Sequence, residues 1–518
     1  MADDSSHKTS VRTERLQDLL VLGVVTLAGA GTRLLYLFQP VRLDEIQTFF
    51  AYIQRPLFIA LTKNNPPNNQ FFHTLLVKAS IGVFGPHDWA MRLPAYIAGI
   101  AMIPLTYLVV RRLFNRGAMS PHRWAALLAA GLVAGSSHLI DYSTSARGYT
   151  IQAVLVICLV LLGLRLERRR ATWSWAAFAL LATLALYTIP TSVYFVAAVV
   201  VWLGIAGLRR YTVENRAPFL FKLAASSAAA GLVTILLYVP VITRSGLATV
   251  TSNPMVQPMP FGYFLQGTVK LAWDTFRSWN VAIGPVLGML LLVCFAAGLV
   301  FFRRLSTERV DPVLVMLLFS VVALLLQRSV PFTRTWIPLL PFYFGTSAAG
   351  GLYLGSSAVA FAREKGLKAR PSAGFALAAV VVLSCFLCAL VIAQDTPYQA
   401  NSLGVAAPES SFKDARAVAD YLKENLRPGD IVYVDHFAEP TLEFYLMHEG
   451  VPPGYLFANN QGADTAAEPR RVIVVLAGSE GHGYEPAVFD WVTAQDLQNA
   501  DVLKMLPCTV ISAVEVRP

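Results

Sequence analysis

The chain contains eleven apolar runs that are candidates to cross a membrane as helices, although some of them are short. A helix needs about 20 apolar residues to cross a hydrocarbon layer about 30 Å thick. Of all residues, 55% are hydrophobic and only 14% are charged, which is too apolar for a soluble protein. The sequence therefore predicts a polytopic α-helical membrane protein. The runs lie near 19–39, 90–110, 123–140, 149–165, 173–188, 190–207, 220–241, 281–302, 312–327, 335–361 and 373–393.

Every second loop between these runs is basic. The positive-inside rule assigns such loops, and the N-terminal tail with them, to the cytoplasm. These clusters account for the net charge of +10, so we expect no nucleic-acid partner. Residues 40–89, 141–148, 242–280, 328–334 and everything after 394 are then expected outside. The basic loops are 111–117, 165–170, 208–216, 302–309 and 363–370.

The composition changes after residue 394. The stretch "FKDARAVADYLKENLRPGD" predicts a helix, "IVYVD" a strand, "EPTLEFYLMHEG" a helix and "RVIVVLAG" a second strand. We therefore predict a membrane domain over 1–393 and a small extracytoplasmic α/β domain over 394–518. The first outer loop, 40–89, belongs to the membrane domain in this division, and its amphipathic stretches predict helices at the membrane surface.

Ionisable residues collect in the loops that are expected outside. Arginine on that side opposes the positive-inside rule, which indicates an anionic ligand such as a phosphate, because the guanidinium group offers a two-pronged donor. The acidic pair in "RLDEIQTFF" follows the first span directly. The residues in question are Asp44, Glu45, Lys63 and His73, then Asp141 and Arg147 around "DYSTSARGY", and Arg244, Arg328 and Arg334.

Four stretches carry a family resemblance, in the order "RLDEIQTFF", "NNPPNNQFFHTLLVKASIGVFGPHDWAMRLPAYIAGI", "SARGYTIQAVLVICLVLLGLRL" and "LYTIPTSVYFV". Together they resemble the integral-membrane glycosyltransferases of the C-type fold, especially the bacterial relatives of protein O-mannosyltransferases and of lipid A aminoarabinose transferases. The resemblance covers about the first 200 residues of the chain. It implies a bacterial inner-membrane enzyme that takes a sugar from a polyprenyl-phosphate donor such as undecaprenyl phosphate. Where many relatives have His before the prolines, this chain has Asn65.

Such a transfer needs a base for the acceptor proton and positive charge on the departing phosphate. Asp44 is the expected base, and attack opposite the phosphate would invert the configuration of the sugar carbon. Glu45 and Asp141 are expected to bind sugar or acceptor, or to join Asp44 around a divalent cation, Mg²⁺ or Mn²⁺. The remaining assignments are Arg147, Arg328, Arg334, Lys63 and Arg244 to the phosphate, and Tyr149, Asn65 and His73 to the substrate pocket.

Other interpretations stay open at this point. The acidic pair can be an interfacial helix cap, Asp141 a solvated loop residue, and His73 a packing residue. A secondary transporter or lipid flippase would carry inverted repeats, and no second half of the chain mirrors the first. A polymerase or ligase acting on lipid-linked oligosaccharide would share the chemistry. The acceptor is a glycolipid, a polysaccharide or a protein, and the sequence does not choose among them.

Overall fold

The computed structural model describes most of the chain. The described residues are 2–64, 68–116, 121–166, 172–253, 256–364, 373–394, 412, 414–434, 438–456, 471–477, 501–507 and 509–515. By packing, these residues form two compact units, of which the first comprises 1–37 and 55–406 and the second 38–54 and 407–518.

The first unit is helical. Each of the eleven predicted apolar runs is mainly helical in the described residues, and one of them, 123–140, is broken into two helices. The helices are Ala2–Leu37, Leu57–Thr62, Phe71–Phe84, Asp88–Leu113, Pro121–Ala134, Ser137–Ser143, Tyr149–Leu166, Thr172–Thr188, Val193–Arg210, Val213–Ser245, Ala248–Thr251, Phe261–Trp279, Gly284–Val300, Phe302–Leu305, Pro312–Gln327, Leu340–Glu364 and Ala373–Gln394. Two 3₁₀ segments, Pro190–Ser192 and Thr333–Leu339, precede the helices that follow them.

Six of the described helices are long and apolar enough to cross a membrane, and eight segments qualify if two bent helix pairs each count as one span. The bent pairs are Arg123–Ala134 with Ser137–Ser143, at 59°, and Phe261–Trp279 with Gly284–Val300, at 107°. Thr172–Thr188 and Pro312–Gln327 are apolar but shorter. The chain is thus a multi-pass membrane protein, and the count of eleven spans stays a prediction.

Glycine allows two long helices of the first unit to approach closely. A Cβ atom on Gly350 would lie 2.0 Å from the carbonyl oxygen of Cys294, and one on Gly298 would lie 2.4 Å from that of Thr346. Small residues at such contacts let helix backbones pack without intervening side chains, which is a main source of helix association in a bilayer. Gly284–Val300 and Leu340–Glu364 therefore form a tightly joined pair.

The second unit contains a four-stranded sheet in the order β1-β2-β4-β3. The strands are β1 Asp430–Val434, β2 Arg471–Ala477, β3 Asp501–Leu506 and β4 Thr509–Glu515. β1 and β2 are parallel, whereas β4 is antiparallel to both of its neighbours. The helices Ala415–Asn425 and Glu439–His448 complete the predicted α/β character. The predicted strands correspond to β1 and β2.

One segment departs from the predicted domain division. Phe38–Gln54, which we assigned to the membrane domain with the rest of the first outer loop, packs in the second unit. It contains the helix Leu43–Thr48, hereafter the acidic helix, and the π-helical turn Phe49–Ile53. The physical reason is aromatic burial, because the Phe49 ring packs against Phe444 of the C-terminal region, with 5.1 Å between ring centroids.

Candidate functional site

A broken helix carries Asp141. The chain bends by 59° between Ala134 and Ser137, and Asp141 lies fully buried on the short helix Ser137–Ser143 that follows the bend. At the start of this helix, Ser136 Oγ accepts a hydrogen bond from the Leu139 N–H, at 3.4 Å. A break at this point lets the chain turn back before the next span, so the loop 144–148 is packed within the first unit.

Arg33, which sequence reasoning missed, supports the bend. Its guanidinium group is fully buried and donates to Ser143 Oγ at 3.0 Å and to the carbonyls of Ala134 and Val133 at 3.0 and 3.1 Å. The last carbonyls of a helix have no hydrogen-bond partner within the helix. Arg33 donates a hydrogen bond to two of these carbonyls. Its position inside the first apolar run could have identified Arg33, because a charged residue is costly in a membrane and is kept there when it has a role.

Arg147 is the centre of a second polar group. Its Nη2 donates to Asn68 Oδ1 at 2.8 Å, and its guanidinium carbon lies 5.7 Å from the centre of the Tyr149 ring. The N–H of Gly148 donates to Gln70 Oε1. The structure therefore brings Arg147 and Tyr149 close to Asn68 and Gln70, which follow Pro66 and Pro67 in the sequence.

Gly148 holds this group close to the helix Phe71–Phe84. A Cβ atom at this position would lie 2.8 Å from Thr188 Cγ2 and 3.0 Å from His73 Cβ. Only glycine permits such an approach without displacement of its neighbours. His73, predicted for the substrate pocket, is fully buried beside this loop.

Aromatic rings connect the two groups. The Tyr142 ring lies edge-on to Tyr149, with 5.2 Å between centroids, and edge-on to His138 at 5.0 Å. Tyr142 follows Asp141 directly on the broken helix. Asp141 and Arg147, which the sequence places at the two ends of one short loop, are thus parts of one packed region.

An asparagine network fixes the segment around Lys63. Asn69 Nδ2 donates to the carbonyls of Ala60 and Lys63 at 2.7 and 3.0 Å. Asn64 Oδ1 accepts a hydrogen bond from the Asn69 N–H at 3.1 Å, and Asn64 Nδ2 donates to the Thr249 carbonyl at 2.8 Å. Asn65, predicted for the substrate pocket, lies outside the described residues.

The same network ties Lys63 to the segment that contains Arg244. The Asn64 N–H donates to Ser245 Oγ at 3.0 Å, and Ser245 Oγ donates to the Thr62 carbonyl at 3.1 Å. The Arg244 side chain is exposed and lies over the Phe58 ring, 5.5 Å from its centre. Lys63 and Arg244, two of the predicted phosphate-binding residues, are therefore neighbours in sequence of the hydrogen-bonded pair Asn64 and Ser245.

Arg328 and Arg334 lie on another segment. Arg328 has a left-handed backbone with φ 51°, ends the helix Pro312–Gln327, and accepts the Met259 N–H on its carbonyl at 2.9 Å. Its side chain is exposed, whereas that of Arg334 is half-buried over the Phe332 ring at 4.3 Å. A non-glycine residue with positive φ is unusual and marks a constrained turn.

The acidic helix belongs to the second unit, and its two carboxylates differ. Glu45 is fully buried, and its Oε2 accepts the Arg42 N–H at 2.8 Å, which caps the start of the helix. Asp44 is half-buried. A carboxylate committed to a helix cap has a structural task already, so Asp44 is the better candidate of the pair for proton transfer.

Contacts with the C-terminal helix Glu439–His448 position the acidic helix. The Val41 N–H donates to the Tyr445 hydroxyl at 3.0 Å, two residues before the helix begins. Phe49 packs against Phe444 directly after the helix ends. The π-helical turn Phe49–Ile53 continues from it, and such turns are frequent at functional sites.

A metal site is not assembled among the described residues. No three His, Cys, Asp or Glu side chains in the described ranges gather closely enough to hold a metal ion. The divalent cation expected around Asp44, Glu45 and Asp141 therefore stays a prediction.

Comparison with known proteins identifies one family model and several solved structures that are similar to this chain. The family model described as dolichyl-phosphate-mannose-protein mannosyltransferase matches residues 65–242. ArnT from Cupriavidus metallidurans in its apo state is 14% identical, with a TM-score of 0.53 over 98% of each chain. The same protein bound to undecaprenyl phosphate has 14% identity and a TM-score of 0.51, over 96% of this chain and 97% of that one. No curated protein matches the sequence.

Proposed function

Because this chain has the fold of the C-type membrane glycosyltransferases, we propose that it transfers a sugar from a polyprenyl-phosphate donor to an acceptor at one face of the membrane. The donor lipid is undecaprenyl phosphate or a close relative, and the membrane is a bacterial inner membrane. The acceptor is a glycolipid, a polysaccharide or a protein. The acidic helix and the loop with Arg147 face the extracytoplasmic side in this proposal.

One observation carries the proposal. The family match over 65–242 contains both Asp141 and Arg147, and both side chains are buried in the first unit. Buried charges in a membrane protein are costly and are kept where they serve a substrate or an ion. A lipid-linked phosphate suits such a setting, because its tail stays in the bilayer while the phosphate meets a cation.

The chemistry requires one bond to form as another breaks. The acceptor oxygen or nitrogen attacks the sugar carbon that carries the phosphate, the carbon–oxygen bond to the phosphate breaks, and both electrons leave with the polyprenyl phosphate. The acceptor proton passes to the Asp44 carboxylate. Attack from the side opposite the phosphate inverts the configuration of that carbon. Because the phosphate is a stable leaving group, no general acid is needed.

Cationic side chains stabilise the departing phosphate in this scheme. Arg147 is the first choice, since its buried guanidinium group is already oriented by Asn68 and Tyr149. Fixed donors need no reorganisation as charge develops on the phosphate. Lys63, Arg244, Arg328 and Arg334 are further candidates for this task. Asp141 and Glu45 are assigned to the sugar, the acceptor or a divalent cation.

The proposal is tested by sugar transfer in liposomes. The native chain is reconstituted with a panel of radiolabelled polyprenyl-phosphate sugars and candidate acceptors, beside Asp44→Asn and Arg147→Gln. We expect transfer with one donor, and a loss of about a thousandfold for Asp44→Asn, which corresponds to about 4 kcal/mol of barrier. Asp420→Asn, an exposed carboxylate of the second unit, is the matched control and should transfer like the native chain.

The outcomes separate the claims. Transfer that survives Asp44→Asn unchanged would remove Asp44 as the base and direct attention to Asp141. Unchanged transfer in Arg147→Gln would show that another cationic side chain binds the departing phosphate. If no polyprenyl-phosphate sugar reacts, while a labelled lipid or solute crosses the liposome membrane in the presence of the native chain, the transporter alternative replaces the enzyme.

A further inference from the structure

Two basic cavities lie at the end of the first unit away from Arg147. The helix Tyr149–Leu166 starts beside Arg147 and carries Arg165 in its last turn, about 25 Å further along at 1.5 Å per residue. One cavity, of about 700 Å³, is lined by Arg116, Arg209, Arg216, Arg303 and Arg309. The second, of about 980 Å³, is lined by Arg15, Arg111, Arg112 and Arg165.

Negative charge nearby falls far short of balancing these arginines. Among the described residues that line the cavities, Glu308 is the single carboxylate; it lines both and forms an ion pair with Arg210 at 3.5 Å. Asp18 pairs with Arg111 at 3.4 Å. Helix C-termini near the cavities each contribute about half a negative charge, and the helix N-termini in the same region each contribute about half a positive charge, so the two partly cancel. The cavities therefore keep a strong positive potential.

Hydrogen bonds hold the walls of the first cavity in place. Asn115 Oδ1 accepts from both the N–H and the hydroxyl of Thr307, at 3.0 and 2.7 Å. Arg116 donates from its backbone N–H to the Leu305 carbonyl at 3.0 Å and from Nη1 to the Arg303 carbonyl at 2.8 Å. Arg309 donates to the Arg209 carbonyl. Segments that are distant in the chain are thus joined into one rim.

Membrane topology alone does not require this arrangement. Arginines that only set orientation need to be present in a loop, where they extend to lipid headgroups from an open surface. Here most of the arginines are exposed at the mouths of two open cavities with room for a phosphate group, and hydrogen bonds between distant segments join the rim that carries them. Guanidinium groups match phosphate oxygens with paired donors.

We propose that the two cavities bind the phosphates of an anionic phospholipid headgroup, and that a lipid with two phosphates, of the cardiolipin type, is the preferred occupant. Glu308 lines both cavities, so they adjoin, and a headgroup with two phosphates is the lipid that offers one phosphate to each. They also lie where membrane-spanning helices end, which is the depth of lipid headgroups. Basic pockets between such helices are a known form of lipid recognition. This site is separate from the proposed donor site.

The test measures bound lipid on the intact chain. The native protein is placed in phosphatidylcholine nanodiscs with a minor fraction of cardiolipin, released, and examined by native mass spectrometry. We expect cardiolipin to be retained at least tenfold over its share of the nanodisc. The double variant Arg209→Gln with Arg303→Gln and the single variant Arg112→Gln should each lower this enrichment several-fold. Arg304→Gln is the control, because that side chain donates to the Tyr353 hydroxyl instead, at 2.8 Å.

Other outcomes overturn the proposal. Equal cardiolipin enrichment in the native chain, the cavity variants and the control would assign the arginines to topology only. A second arm titrates detergent-purified protein with inorganic pyrophosphate. Binding of pyrophosphate that depends on Arg209 and Arg303, with no cardiolipin enrichment, would show a site for a soluble phosphate compound and reject the lipid. A monodisperse size-exclusion profile for each variant ensures that lost binding does not reflect unfolding.

Discussion

The Phe49 ring packs edge-on against the Phe444 ring, with 5.1 Å between their centroids and 84° between their planes. These residues are almost 400 positions apart in sequence, and both are buried. The contact joins the acidic helix to the C-terminal α/β domain. The sequence did not indicate the role of the C-terminal domain. Because this domain packs on the acidic helix, we infer that its role is to set the position of Asp44.

Tyr445→Phe should therefore lower transfer without loss of the fold. The change removes the hydroxyl that accepts the buried Val41 N–H, and a buried donor left without a partner costs about 1–3 kcal/mol. We expect kcat to fall about tenfold or more while KM for the donor stays within about twofold, because the acidic helix shifts and the donor contacts do not. Steady-state transfer kinetics measure both.

The control for this prediction is Tyr421→Phe, on the helix Ala415–Asn425 of the same unit. It should leave both constants at native values. A matching fall in kcat for the two variants would indicate general damage to the C-terminal domain. Native kcat in Tyr445→Phe would show that this hydroxyl does not position Asp44.

Arg33→Lys should destabilise the first unit although it conserves the charge. A lysine ammonium group cannot reproduce the set of bonds to Ser143, Ala134 and Val133, which needs the planar fork. We expect a loss of about 3 kcal/mol or more, since breaking a buried charged network costs about this much. Thermal unfolding followed by fluorescence-detected size exclusion measures the shift. The control is Arg15→Lys, because Arg15 is exposed on the same helix, and it should keep the native unfolding temperature. An unchanged unfolding temperature in Arg33→Lys would contradict the role of Arg33.

Gly148→Ala should disrupt the Arg147 loop. The added methyl group would lie 2.8 Å from Thr188 Cγ2 and 3.0 Å from His73 Cβ, and overpacking of this kind costs about 1–3 kcal/mol. Transfer and donor binding should both fall. The double change with Thr188→Ser removes the nearer methyl group and should restore part of the activity. Gly262→Ala, where a Cβ meets nothing within 4 Å, is the control; full activity in Gly148→Ala would show that the loop adapts.

Asp311 should make stability depend on pH. It precedes the helix Pro312–Gln327, and its Oδ1 accepts the Val313 N–H at 2.8 Å. Burial raises the pKa of its carboxyl group to about 7, although hydrogen bonds from the backbone at Val313 and Leu314 oppose the rise. The folded state thus holds a proton that the unfolded state has lost, so the free energy of unfolding falls as pH rises from about 4 to about 7.

Asp311→Asn keeps a hydrogen-bond acceptor at the helix start and cannot ionise. Its thermal transition should exceed that of the native chain at pH 8 and approach it at pH 5, in membrane-mimetic detergent. Asp420→Asn should follow the native chain at both values. A native transition that is flat between pH 5 and pH 8 would show that Asp311 ionises without cost.

Much of the fold was accessible from the sequence because its strongest determinants are local. A run of about 20 apolar residues can satisfy its backbone in a bilayer only as a helix, so all eleven runs appear as helices. The family resemblance depended on the order of short motifs, and the fold that it implied is confirmed by the similarity to the ArnT structure. In the C-terminal domain, β3 and β4 were both missed, and in β3 the polar and apolar residues of the sequence DVLKML do not alternate as they do in a half-buried strand.

The sequence by itself determined that this chain is a multi-pass helical membrane protein with an α/β domain, and that its charges collect near helix ends. Tertiary structure alone decided which of those charges are held together. Arg33 supports the bend 100 residues away at Val133, and Phe49 finds its partner at Phe444. Such pairings depend on burial and on satisfying polar groups in three dimensions, and neither is encoded in the spacing of residues along one helix.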